Sequence, residues 1–174
     1  MVSLEIIALV LTGLSITASI IYYANILNNS NKTREAQFIQ QITAWRQNPE
    51  GWKINEMLYE MEWSDYQDFI NKYDGSNNPE HAAKRNSFLY TLDTWGHLMK
   101  TADLNREIVY DMMGRGIVSL WEKFKPIIYE MRINYFGDDD SYMKGFEYLY
   151  NERMKVREKR GITGRMIFSA KSTQ

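Results

Sequence analysis

Apolar positions along this chain follow two regimes. From residue 6 to residue 27 (IIALVLTGLSITASIIYYANIL) there is no charged side chain, and after Lys32 apolar residues recur three or four apart between polar ones. The first regime has the length of a membrane span: 22 residues rise about 33 Å as a helix, against a hydrocarbon core of about 30 Å. Tyr22 and Tyr23 fall at the downstream interface, where a ring with a polar tip is favoured. A cleaved secretory signal would want basic residues ahead of the apolar run, and the stretch from Met1 to Glu5 has none. A buried helix of a soluble core would need the remaining chain to wrap it on every side. The reading is therefore a transmembrane helix over 5–27. Lys32, Arg34 and Arg46 follow it and no Lys or Arg precedes it, which predicts a single-pass protein of the cell membrane with its C-terminal domain in the cytoplasm.

The second regime predicts helices. Phe38, Ile39, Ile42 and Trp45 lie on one stripe, so the span should continue outward as a juxtamembrane helix over 28–47. Asn48-Pro49-Glu50 combines a capping side chain, a proline suited to the first helical position and an acid near the positive helix end. The helix it opens has Ile54, Met57, Leu58 and Met61 on its core face. Ser64-Asp65-Tyr66-Gln67 resembles a capping box for a short helix with Phe69, Ile70 and Tyr73. After the loop at 74–78, Asn78-Pro79-Glu80 repeats the start signal ahead of Phe88, Leu89, Leu92, Trp95 and Met99.

A break near 101–103 precedes a helix with Leu104, Ile108, Met112 and Met113. Gly114-Arg115-Gly116 predicts a bend, since each glycine weakens a helix by roughly 1 kcal/mol. Ile117, Leu120, Trp121, Phe124, Ile128 and Met131 resume the stripe, with a kink expected at Pro126. The last helix, about 141–160, carries Phe146, Leu149 and Met154, and 161–174 reads as a flexible tail. No segment alternates as a strand does. The fold class is all-α: one N-terminal transmembrane helix running into a compact multi-helix cytoplasmic domain over 48–160.

Composition narrows the chemistry. The chain of 174 residues has 21 Lys+Arg against 22 Asp+Glu, a formal net charge of -1, so it is not a globally basic nucleic-acid binder. Zero cysteines exclude disulfides, thiolate metal sites and cysteine nucleophiles, and two histidines, His81 and His97, restrict acid-base chemistry further. Neither histidine follows a glutamate at the Glu-x-x-His spacing of a carboxylate di-metal bundle, and Gly114-Arg115-Gly116 lacks the remainder of a phosphate loop. No catalytic, cofactor-binding or metal-binding set is assigned.

Two weaker constellations stand out. Asp93 and His97 are one helical turn apart and form a carboxylate-imidazole pair, the minimum for general-base work, although with no third catalytic group marked a solvated or partly buried structural contact is the favoured explanation. His81, beside the Pro79 start, reads as a surface residue. Lys155, Arg157, Lys159 and Arg160 gather at the end of the last helix; they form either a solvated helix terminus or an interaction surface for anionic lipid headgroups, at about 1 kcal/mol per basic group. The 24 aromatic residues, five of them Trp, exceed what one stripe per helix can bury. Tyr142, Tyr148 and Tyr150 cannot all face one core stripe, so some are expected on exposed or interface surface, with a Tyr-rich helical core as an equally simple alternative.

From Asn86 onward, the helix with Phe88 and Leu92, the Leu104 to Val109 segment, Leu120-Trp121-Glu122 with Lys125-Pro126, Arg132, and Phe146-Glu147-Tyr148-Leu149 occur in a familiar order. The Trp45 to Pro49 turn belongs with them. This pattern resembles a family of prokaryotic proteins known only as a domain of unknown function. The resemblance implies an N-terminal membrane helix with a small helical cytoplasmic domain and brings no catalytic residues. The functional expectation is a membrane-anchored interaction or accessory module with the bilayer and a membrane-protein partner or a second copy as its contacts. The alternative is a small-ligand sensor or enzyme with a pocket among the helices around Trp95 and Trp121.

Overall fold

The computed structural model describes residues 3–101, 106–114 and 116–162. All regular structure among them is helical: α1 (Leu4–Arg46), α2 (Pro49–Glu60), α3 (Tyr66–Tyr73), α4 (Pro79–Thr101), α5 (Arg106–Met112), α6 (Gly116–Asn134) and α7 (Lys144–Lys159).

α1 runs unbroken through 43 residues, about 65 Å at the usual helical rise. Its two halves differ sharply. Its most apolar 18-residue window has a mean hydropathy of 2.1 and no buried residue, which makes α1 long and apolar enough to cross a membrane. Within it the Thr12, Thr17 and Ser19 hydroxyls donate to the carbonyls of Ala8, Gly13 and Ser15 one turn back, so these polar groups are satisfied by the helix itself. Further along, Phe38 and Ile42 are buried and Trp45 half-buried, because this end of α1 docks on α2 and α5.

Local chemistry sets the other boundaries. The Asn48 side chain accepts from the Glu50 amide at 3.0 Å with Pro49 in the first turn, and Asn78 does the same for His81 ahead of Pro79. At α3 the cap stands one residue later than the sequence suggests. Asp65 caps the Asp68 amide at 2.9 Å, while Asp68 reaches back to the Ser64 amide at 3.0 Å. Two acids three apart satisfy both amides reciprocally, which displaces the Ser64/Gln67 pairing. Gly114, at φ +66°, separates α5 from α6, and α6 continues as helix through Pro126. α7 begins at Lys144, later than expected, because Asp138 and Met143 are left-handed and 140–143 is a turn. It ends at Gly161 (φ +66°), whose amide donates to Glu158 while that of Ile162 donates to Arg157, closing the last turn. Residues 163–174 of the expected tail, and Leu104, lie outside the described residues.

The core forms where α4 packs along α7, with α6 also against α7 and α2 against α4. Trp121, Phe124, Phe146, Leu92 and Leu149 lie fully inside. The α4/α7 contact depends on two glycines: a Cβ on Gly96 would stand 1.7 Å from the Gly145 carbonyl oxygen, and one on Gly145 2.0 Å from that of Asp93. The helix backbones touch there. Tyr142, Tyr148 and Tyr150 are all half-buried against this core, the Tyr-rich core being the alternative that the structure favours. His81 is likewise half-buried, its ring 5.1 Å from that of Tyr73, and burial moves its pKa below the usual value.

Candidate functional site

A partly enclosed space of functional size lies at the junction of α1, α2, α4 and α6. It is a cavity of about 290 Å³, near the lower end of ordinary small-molecule sites. Each wall follows from a local pattern. α4 contributes Phe88, Leu92 and Trp95, the apolar face at i, i+4 and i+7; α2 contributes Trp52, Asn55 and Tyr59 at i, i+3 and i+7. The last turn of α1 supplies Trp45 and Arg46, and the α5–α6 turn with the start of α6 supplies Met113, Gly114, Gly116, Ile117 and Leu120.

The walls are braced by hydrogen bonds. The Trp52 indole N–H donates to the Arg46 carbonyl at 2.7 Å, closing the end of α1. Arg46 Nη1 donates to the carbonyl of Met112, the last residue of α5, at 3.0 Å, a favourable place for a cation at a helix C-terminus. The Tyr59 hydroxyl donates to the Gly116 carbonyl at 3.1 Å, and burial pushes this phenol up to about 12. Trp45 packs edge-on against Trp95 at 5.0 Å and tilted on Phe88 at 4.9 Å. Polar lining is sparse, and among the described residues its only charged side chain is Arg46.

Of the two tryptophans expected to flank a pocket, Trp95 does line this one. Trp121 is 1% exposed and lies in the core, packed on Phe146 and Tyr150. Arg46 was singled out from sequence only as a charge following the span, and Trp52, Asn55 and Tyr59 not at all. Their spacing on α2 marked a second face beside the Ile54/Leu58 stripe, but only the docking of α1 turns that face into a wall.

Asp93 and His97 lie together on α4. The Asp93 Oδ1 accepts from the Phe146 amide at 3.0 Å, and Oδ2 stands 3.7 Å from His97 Nε2. Asp93 is thus the side chain that caps α7, whose own N-cap residue, Met143, offers no such bond. His97 is 55% exposed. The pair lies away from the cavity lining.

The basic cluster is distributed unevenly. Arg157 is buried. Lys155 pairs with Glu152 at 2.6 Å, Lys159 with Glu107 at 2.7 Å, and Arg160 with Asp111 at 2.6 Å and Glu107 at 3.1 Å. Lys159 and Arg160 thereby fasten α5 to α7, and these hydrogen bonds hold the carboxyls of Glu107 and Asp111 below their usual range.

A second, wider depression of about 940 Å³ opens over the α2–α3 turn, lined by Trp63, Asp65, Asp68 and Lys72 among others. Two of its carboxylates are already committed, since Asp68 bonds Lys72 and Ser64 and Asp65 caps α3. Among the described residues no three His, Asp or Glu side chains gather as a metal site would require.

These features define an all-helical protein with one exposed apolar helix of membrane-spanning length joined to a helical domain that holds an aromatic cavity. The chain belongs to the family DUF4760, a domain of unknown function, whose model matches residues 4–154 and so takes in α1 together with most of α7. No curated protein and no solved structure matches it.

Proposed function

We propose that this protein is a membrane-anchored helical interaction module, an accessory or scaffold subunit held in the cell membrane by one pass of α1, with its helical domain in the cytoplasm. The observation that carries this reading is the exposed apolar half of α1, where Leu9, Leu14, Ile20 and Leu27 each stand more than half exposed with no protein around them. Roughly 25 cal/mol for each Å² of apolar surface left in water makes such a helix strongly favour hydrocarbon. The family match supports it, because the helix lies within the matched residues 4–154 rather than ahead of them. Lys32, Arg34 and Arg46, all downstream of the apolar run, support the cytoplasmic orientation. The unbroken passage of α1 into its docking contacts makes anchor and domain one mechanical piece, as an accessory subunit reporting on a membrane neighbour requires.

The chain lacks cysteine, so single cysteines give an unambiguous topology test on the full chain in intact cells. Ser3→Cys should react with an impermeant maleimide from outside, and Asn151→Cys only after the membrane is opened. The reverse pattern would place the domain on the other side. Release of the protein by alkaline carbonate would remove the anchor. Cross-linking in native membranes followed by mass spectrometry then reads the partner: a stoichiometric membrane protein supports the accessory role, and self-links alone replace it with a homo-oligomer.

A further inference from the structure

We infer that the cavity between the end of α1 and helices α2, α4 and α6 is a binding site for a small, predominantly apolar molecule that carries one negative charge, such as an arylalkyl carboxylate.

The argument begins with size and enclosure. A space of about 290 Å³ has room for on the order of ten water-sized groups, enough for an aromatic ring with a short chain and too little for a lipid tail. Its walls are Trp45, Trp52, Phe88, Trp95, Leu92 and Leu120, flat and apolar surfaces against which a ring stacks. Water held against such walls makes few hydrogen bonds, so an apolar occupant replaces it favourably.

Charge selects among apolar occupants. Among the described residues no Asp or Glu lines the cavity, while Arg46 does, its guanidinium fastened by one nitrogen to the Met112 carbonyl and making no other hydrogen bond to a described residue. An ammonium compound would meet the arginine with no carboxylate to offset it. Aromatic faces favour cations in general, but the only full charge among the described lining residues is positive, and at a few ångströms it outweighs a quadrupole.

Unused hydrogen-bond capacity supports an occupant independently. The half-buried Asn55 amide, which lines the cavity, makes no hydrogen bond among the described residues, in a wall where Trp52, Tyr59 and Arg46 are all bonded. Such a group beside apolar surface is a poised contact for a ligand oxygen. With α1 in a bilayer as proposed above, Trp45 stands 18 residues beyond Leu27, or about 27 Å along the helix. The occupant therefore comes from the aqueous phase.

The test uses three probes of one shape: 3-phenylpropionate, 3-phenylpropan-1-ol and 3-phenylpropylamine. Each is titrated against the full chain in phospholipid nanodiscs, with tryptophan fluorescence as the readout, since three tryptophans form the walls, and empty nanodiscs as the blank. The acid should bind best, the alcohol more weakly and the amine least. Arg46→Gln should weaken the acid by about three- to fivefold, the span of a partly exposed ion pair, and leave the alcohol unchanged. Asn55→Phe fills the space and should abolish the response to all three, while circular dichroism shows the helices retained. Silence with every probe overturns the inference, as does an equal response to all three that persists in both variants. Preference for the amine overturns the charge assignment. Because topology is not read in this experiment, failure of the anchor reading and failure of the site reading remain distinguishable.

Discussion

Asp93 on α4 and Phe146 on α7, 53 positions apart, are joined by a hydrogen bond of 3.0 Å from the Phe146 amide to the Asp93 carboxylate. One of the four amide donors that a helix start leaves unpaired is thereby satisfied from another helix. The same turn of α4 carries Gly96, so that cap and close backbone contact occur together.

Asp93→Ala should therefore destabilise the protein by about 1 kcal/mol, as loss of a capping side chain does, and lower Tm by about 2–4 °C for a chain of this size. Asp93→Asn, which keeps an acceptor, should retain most of the stability. His97→Ala should change little, because the imidazole is exposed and 3.7 Å from its neighbour. Thermal unfolding of the three variants checks this, and a larger loss in His97→Ala than in Asp93→Ala would contradict the capping role.

Gly96→Ala and Gly145→Ala should each prevent the α4/α7 contact from forming. Their Cβ atoms would fall 1.7 Å and 2.0 Å from backbone oxygens of the other helix, which no rotamer change relieves. A cost of about 3 kcal/mol or more is expected. Gly13→Ala, with nothing within 4 Å, is the control. Expression level and resistance to limited proteolysis would separate the two classes.

Salt should loosen α5 selectively. Lys159 and Arg160 hold Glu107 and Asp111 at the surface, and at roughly 1 M salt the screening length is about 3 Å. Hydrogen exchange at the amides of 107–112 should accelerate, though not to full exposure, because Val109 is buried and Arg153 still donates to the Tyr110 carbonyl at 2.7 Å. The amides of α4 facing α7 should keep their rates. Uniform acceleration would mean that the ion pairs do not act locally.

Alkali should destabilise the fold through Tyr142, whose phenol burial pushes up from 10.0 to about 12. The folded state holds the proton more tightly than the unfolded chain, so this contribution is complete below about pH 10 and is lost as pH rises toward 12. The slope is at most about 1.4 kcal/mol for each pH unit. Tyr142→Phe should flatten the profile in that window and leave it unchanged at neutral pH, as chemical denaturation across the pH series would show.

Several elements were legible from sequence because the rules that set them act over a few residues. Asn48-Pro49, Asn78-Pro79 and Gly161 each satisfy or end the local hydrogen-bond ladder, and Gly114 supplies the left-handed residue that parts α5 from α6. The stripe Phe88, Leu92, Trp95, Met99 needed only a period of 3.6 to be recognised as core, and an uncharged run of 22 residues needed only its length to be recognised as a candidate span.

Tertiary structure decided the remainder. Helical periodicity gives a side chain's face but not the neighbour that will cover it. Arg157 looked like part of a basic surface and is buried; Asp93 looked like half of a polar site and caps a helix far away in sequence. Trp95 and Trp121 share the same apolar pattern, yet one lines a cavity and the other fills the core. That cavity belongs to no single element, because its walls come from α1, α2, α4 and α6 and exist only when those helices meet. Sequence set where each helix starts, stops and turns its apolar side, through backbone bonding and periodicity, whereas packing alone determined where the space between helices remained open and which charge stood beside it.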